Sequence, residues 1–326
     1  MPGLVPTAGL TIGKEGVWGF GATAIAGHIF TSDQRVLYVN PNMPGATDGG
    51  NTGEDPQTPF ATVAAALLRT RDNYGDVILV GQNDAWQYGG GSTWQTPIAE
   101  EVVVTTEGVS IIGVSPGGMG VPWNPVTAAG AGVCITVHAL DVLIAGFSFA
   151  GVALGGMGIY VLWDGVTNFG ENAVIRNCFF DGDMDVGIGL EFPWNNEISH
   201  CHFQECDTAG IWCDPAGSGT AYNRIHHNIF HDVGIGATGA ISLQGGDDNH
   251  IWANSIYNNA AQGAGAATDE GIDTTGGSSN LVFDNYLSCL LPVPAAGDLD
   301  DFCTAAATDS WNGNYCSNGL QVTNPT

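Results

Sequence analysis

Positive charge is what this sequence has least of: six Lys and Arg stand against 33 Asp and Glu, a formal net charge of −27 over 326 residues. A nucleic-acid surface needs clustered cations, and Lys14, Arg35, Arg69, Arg71, Arg176 and Arg224 are scattered along the chain. Nucleic acid is therefore excluded as a partner, and so is an anionic membrane surface. No apolar run reaches the ~18 residues that a spanning helix requires, so no membrane insertion is expected. The apolar stretch from Gly16 to Phe30 follows Lys14 and faintly resembles a signal peptide. With Met1 in place nothing has been removed from it, and synthesis in the cytoplasm is expected.

What is present is apolar and glycine-rich. Hydrophobic residues make up 44% of the chain and charged residues 12%, a balance that excludes wholesale disorder. The 49 glycines suit short strands joined by many tight turns, because glycine adopts positive φ without steric cost. One large domain or two small ones would fit this length.

An internal repeat decides the fold class. From residue 139 one phrase recurs: an aliphatic residue, two others, an inward residue, one more, then a large apolar residue. It reads Ile144–Phe147–Phe149, Ile175–Cys178–Phe180, Ile198–Cys201–Phe203, Ile225–Asn228–Phe230, Ile251–Asn254–Ile256 and Val282–Asn285–Leu287, with starts 31, 23, 27, 26 and 31 residues apart. A second phrase follows each of the first five: Gly158-Ile159, Gly187-Ile188, Gly210-Ile211, Ala240-Ile241 and Gly271-Ile272. Two phrases in fixed order mean coils of one cross-section, stacked at the ~4.8 Å strand spacing. Phe149, Phe180, Phe203 and Phe230 should then form one internal aromatic column.

Asparagine marks the same register. Asn196, Asn223, Asn249 and Asn280 stand two residues before the aliphatic residue, and Asn228, Asn254 and Asn285 three after it. Stacked amides satisfy one another up and down a column, and Asn tolerates left-handed turn backbone. The expected fold is all-β: a right-handed parallel β-helix with an N-terminal capping helix and an irregular C-terminal cap. Residues 1–36 would be an arm or docking segment carrying Trp18, Phe20, Ile25 and Phe30. Residues 37–290 would be the solenoid with its entry cap, including a helix over about 59–70 that starts at Thr58 or Thr62. Residues 291–326 would close the last coil, where Cys289, Cys303 and Cys316 are candidates for pairing.

The entry stretch adds a resemblance. Leu37-Tyr38-Val39-Asn40-Pro41, the acidic Gly-rich loop to Asp55, Pro59-Phe60-Ala61-Thr62 and Gly75-Asp76-Val77-Ile78 resemble the entry segment of pectate-lyase-like right-handed β-helix proteins. The resemblance implies the fold over residues 37–290. It leaves function open, because that superfamily holds lyases, glycoside hydrolases, epimerases, phage tailspikes and non-catalytic particle proteins.

The chemistry is weighed on this frame. Elimination of the pectate-lyase type needs a cation such as Ca²⁺ and a basic side chain. Only Arg176 and Arg224 lie within the repeats; one follows its coil's Ile and the other precedes it, so convergence is not expected. Hydrolysis needs two carboxyls about 5–10 Å apart, and turn acids such as Asp207, Asp247, Asp248, Asp269 and Asp273 are too plentiful to single out a pair. Asp181, Asp183 and Asp185 alternate as in some calcium loops but lack the rest of such a motif; Ca²⁺ is the one cofactor considered. His200, His202, His226, His227 and His231 lack structural zinc spacing and read as stacked polar turn residues. Trp212, Trp252 and Phe283 follow inward residues and should face outward, against another subunit or a glycan.

The favoured expectation is a non-catalytic structural or recognition protein on the surface of a phage-like virion, a capsid decoration or tailspike-like protein. It would be a homotrimer, joined to other virion proteins through the N-terminal arm and contacting host surface glycan. The competing expectation is an extracellular polysaccharide lyase or glycoside hydrolase of the pectate-lyase-like group.

Overall fold

In a computed structural model the chain is described over residues 33–81, 97–115, 120–126, 132–150, 156–167, 169–182, 184–213, 220–233, 239–258, 271–289, 303–316 and 321–322. Three parallel sheets wind along it. Sheet A has ten strands, from Val36–Val39 through Val77–Gly81 to Ser310–Asn312. Sheet B, also of ten, runs from Ile98–Ala99 to Asn314–Cys316 and Gln321–Val322. Sheet C has eight, from Val102–Val104 to Cys303–Thr304. The chain visits A, B and C once per coil, so each strand pairs with its counterpart one coil away. This is the parallel β-helix read from the repeat.

Side chains alternate across a strand, so each short strand sends one or two residues inward. In sheet A the inward column is Ile78, Ile111, Ile144, Ile175, Ile198, Ile225, Ile251 and Val282, paired in register and fully buried. Each contributes about 1.5–3 kcal/mol by leaving water. In sheet B the rings of Phe149, Phe180, Phe203 and Phe230 stack at centroid separations of 5.1, 4.7 and 4.6 Å, nearly coplanar from Phe180 onward. The glycine of the second phrase makes room for them. A Cβ at Gly158, Gly187 or Gly210 would lie 2.6–2.7 Å from a ring carbon of Phe180, Phe203 or Phe230. The next position in that column is Ala240, and there the following coil carries Ile256 in the Phe register.

Between sheets A and B the chain turns on one residue with left-handed backbone: Gly146, Asn177, His200, His227, Ala253, Asp284 and Gly313, with φ of 53–80°. The ladder asparagines follow these residues and do not occupy them. Asn228 comes after His227, Asn254 after Ala253 and Asn285 after Asp284. Left-handed tolerance is therefore demanded one position earlier than the sequence reading put it, and the ladder asparagines serve through hydrogen bonds alone. Asn196 Nδ2 donates to Asn223 Oδ1 (3.0 Å), Asn223 to Asn249 (2.9 Å) and Asn249 to Asn280 (3.0 Å). The second ladder runs from Asn228 to Asn254 (3.1 Å), Asn285 (3.0 Å) and Asn314 (2.9 Å). Each Oδ1 also accepts a backbone N–H, as Asn228 Oδ1 does from Cys201 at 2.9 Å. No buried amide along the ladder is left unpaired, which is the condition for burying it.

The entry helix is shorter than expected. Helix α1 spans Val63–Leu67, with Thr62 as N-cap accepting from the Ala65 N–H, and its Val63 and Ala66 reach the core. Glu100 adds a second cap, accepting from the N–H groups of Val63 and Ala64.

The repeat also runs past residue 290. Ser310–Asn312 pairs in parallel with Leu281–Phe283, and Asn314–Cys316 with Tyr286–Cys289. Trp311 takes the inward aliphatic position and Asn314 the ladder position. The 291–326 boundary is thus corrected, and regular coiling ends at the antiparallel pairing of Asn314 and Tyr315 with Val322 and Gln321. Cys303 is buried, in register with the inward Ile272. The Trp18, Phe20, Ile25 and Phe30 arm lies outside the described residues.

Candidate functional site

The outer face of sheet A changes character along the solenoid. Near its start Val77, Leu79, Ile112, Leu143 and Ala145 form a separate buried apolar cluster. From Val174 onward the outward residues become polar, charged and aromatic. They form two columns in register: Val174, Glu197, Arg224, His250 and Leu281, beside Arg176, Ser199, His226, Trp252 and Phe283.

This register puts Arg176 and Arg224 on the same face of sheet A, two strands apart and in neighbouring columns. Residues immediately before and after an inward Ile both point outward, so the two guanidiniums share one face. Arg176 lies beside Ser199 and Arg224 beside Glu197. Two of the chain's six cations therefore lie on one face of a protein of charge −27.

Glu197 is the centre of the polar cluster. Its Oε2 lies 3.5 Å from the Arg224 guanidinium, and its Oε1 lies 3.8 Å from His226 Nε2 and accepts from the Ser199 hydroxyl at 3.4 Å. On the other side of the ring, His226 Nδ1 is 2.9 Å from Nδ1 of His227. His227 stacks on His200 one coil away, at 5.3 Å and 5° between planes. These two do occupy the bend, where the sequence put them, and both are exposed. Burial, with the nearby Arg224 and histidines, holds the His226 imidazole below its ordinary pKa against the pull of Glu197. Burial and the neighbouring His227 and Arg176 do the same for His200. Both imidazoles are thus neutral at pH 7, which leaves them lone pairs with which to accept protons.

Trp252 and Phe283 lie on this face, stacked at 5.8 Å and 2°. The opposite face of Trp252 is covered by the His226 ring at 4.2 Å. Its ring faces are therefore occupied within the chain, and Trp252 braces His226 from the next coil. Trp212 does not join them. It lies in sheet C between Gly189 and Ser242, on a different flank. Trp194 and Tyr222, each about half exposed, border the sheet A face on the side opposite His200 and His227.

In the two outward columns of sheet A from residue 174 to 283, Glu197 is the sole carboxylate. Glu100, whose pKa burial raises, is spent on capping α1. Asp247 accepts from the Ser278 hydroxyl, and Asp273 from the N–H and hydroxyl of Thr275. Of the alternating trio, Asp181 accepts from the Gly182 N–H and Asp183 lies outside the described residues. Among the described residues no group of three or more His, Cys, Asp or Glu has a geometry that would hold a metal ion. Sequence reasoning missed the Glu197–His226–His227 cluster; aligning the outward positions of the Ile phrases would have placed Glu197 against Arg224 and His226 against Trp252.

The family comparison agrees on architecture. A family model described as a right handed beta helix region matches residues 124–287, half of the chain. No curated protein matches the sequence. Among solved structures, an alginate lyase from Paenibacillus sp. str. FPU-7 superposes with a TM-score of 0.47 at 15% identity, covering 88% of this chain and 97% of the lyase. A GH136 lacto-N-biosidase from Eubacterium ramulus gives a TM-score of 0.27 at 12% identity, covering 86% of this chain and 68% of that one. Likenesses this distant carry no activity across.

Proposed function

The chain is a member of the right handed beta helix family, and from that architecture we propose that it binds a uronic-acid polysaccharide on the outer face of sheet A and cleaves it by β-elimination. The observation that carries this reading is the presence of two guanidiniums and the His200, His226 and His227 imidazoles along one sheet face of an otherwise acidic protein.

Elimination asks for those groups. The proton on the sugar C5 is weakly acidic until the charge of the adjoining carboxylate is neutralised, and Arg176 and Arg224 supply cations for that. An imidazole of the His200, His226 and His227 cluster then removes the proton as general base. The C5 electron pair forms the C4=C5 double bond, the C4–O bond breaks, and the departing oxygen takes a proton from water. Glycoside hydrolysis is the poorer fit, because it requires two carboxyls about the scissile bond and this face offers Glu197 alone, already engaged by Arg224, Ser199 and His226. Trp252 and Phe283 form the outward stripe that a particle protein could use, but nothing else on this face supports that reading, and the His226 ring takes one face of Trp252.

The test is incubation with acidic and neutral polysaccharides, following chain length and the ultraviolet absorbance of unsaturated uronate ends. Shortening of an acidic polymer with unsaturated ends, lost in Arg224→Ala and His227→Gln, is the expected result. A stable oligomer inert to every acidic polymer would overturn the reading, and so would new reducing ends without unsaturation.

A further inference from the structure

The three polar groups at the centre of this face can be ordered by tautomer. A neutral imidazole carries one N–H and one lone pair, so the 2.9 Å contact between the Nδ1 atoms of His226 and His227 requires one to donate and the other to accept. Glu197 decides which. Its carboxylate lies 3.8 Å from His226 Nε2, longer than a hydrogen bond but close enough to favour a proton there over a lone pair. With its proton on Nε2, His226 accepts at Nδ1. His227 must then donate from Nδ1, and its lone pair is left on Nε2, at an exposed bend residue. The surroundings hold the arrangement. Ser199 fixes Glu197 Oε1 and Arg224 fixes Oε2, Trp252 covers the His226 ring, and His200 covers the His227 ring. Arg176 lies two strands behind His226, with Ser199 between them, and His250 lies beside Arg224 on the next coil.

We propose that Glu197, His226 and His227 form a single proton relay, with Glu197 and His226 as positioning residues and His227 Nε2 as the atom that accepts the proton. Its catalytic half rests on the elimination reading above; the tautomer order does not. On proton uptake at Nε2 the His227 ring becomes cationic, and the His226–Glu197 pair lies behind it to stabilise that charge.

The tautomers are read directly from long-range ¹H–¹⁵N spectra of the full chain at neutral pH. The native protein is expected to show His227 protonated on Nδ1 and bare at Nε2, the reverse of the tautomer a free histidine side chain prefers. His226→Phe keeps a ring against Trp252 but offers no nitrogen, and should return His227 to the Nε2–H form. Glu197→Gln should do the same by releasing the His226 proton from Nε2. A native His227 protonated on Nε2 overturns the relay. Kinetics separate this inference from the reading beneath it. Both variants should lower kcat on an acidic polymer by about 100-fold or more, the scale of a lost general base, with KM changed less than about 2-fold. Cleavage at native kcat in Glu197→Gln overturns the relay and leaves the elimination reading intact. Native tautomers as stated, in a protein that cleaves no acidic polymer, keep the relay order and overturn the reading.

Discussion

Replacing Gly187 with Ala tests the coupling between the two repeated phrases. Ordinarily the exchange would stabilise a strand, by about 0.4–1 kcal/mol through the unfolded chain, because Gly187 has no positive φ to protect. Here the new methyl would sit 2.6 Å and 2.7 Å from two ring carbons of Phe203 and 2.7 Å from the Gly210 carbonyl oxygen. Phe203 has no room to withdraw, since Phe180 and Phe230 lie parallel to it at 4.7 and 4.6 Å. Overpacking of this kind costs about 1–3 kcal/mol, so a net loss of about 1–2 kcal/mol is expected. Phe203→Ile in the same chain should recover about 1 kcal/mol as a coupling energy, by copying the Ala240 and Ile256 pair already present two coils on. Urea denaturation of the wild type, both single variants and the double variant measures the cycle. A Gly187→Ala protein as stable as wild type, or strictly additive losses, would refute the steric argument.

Two further outcomes follow from the ladder and the histidines. Asn228→Ala removes an acceptor from the buried Cys201 N–H and donors from the Ile198 carbonyl and Asn254; with about 1–3 kcal/mol for each orphaned buried group, a loss of about 2–4 kcal/mol is expected in the same urea assay, and a loss under about 0.5 kcal/mol would contradict the ladder. His200, His202 and His226 are held below 6.5, mainly by burial. The unfolded chain therefore binds more protons than the fold just below that value, and stability should fall as pH drops through 6.5 toward the folded-state values. The urea midpoint at pH 5 is expected below that at pH 7.5, with a smaller difference once all three are replaced by Phe.

The core was legible because a solenoid repeats its inward positions. Ile175, Ile198 and Ile225 and the Phe and Asn columns recur at fixed offsets, and one-dimensional stacking turns recurrence into contact. The last coil was missed because its residues change type while keeping their places. Trp311 stands for Ile, and Asp309 for a ladder Asn, accepting from the Asn280 N–H and Nδ2 while its other oxygen accepts from Thr274 and Ala306. An acceptor-only side chain can end a ladder whose next amide would lack a partner. The candidate site was the least legible part. Outward residues carry no repeat, so Glu197, Arg224, His226 and Trp252 looked like unrelated turn and flank residues until the strand register set them side by side.

The central claim is that a uronate chain lies on the outer face of sheet A, and the most direct measurement is a crystal structure of His227→Gln protein soaked with a saturated uronate oligosaccharide. The account predicts sugar density across Glu197, Arg224 and the bend at residue 227, with a uronate carboxylate on Arg176 or Arg224. Density on the exposed Tyr257, Tyr286 and Tyr315 of sheet B, or none at saturating oligosaccharide, would contradict it.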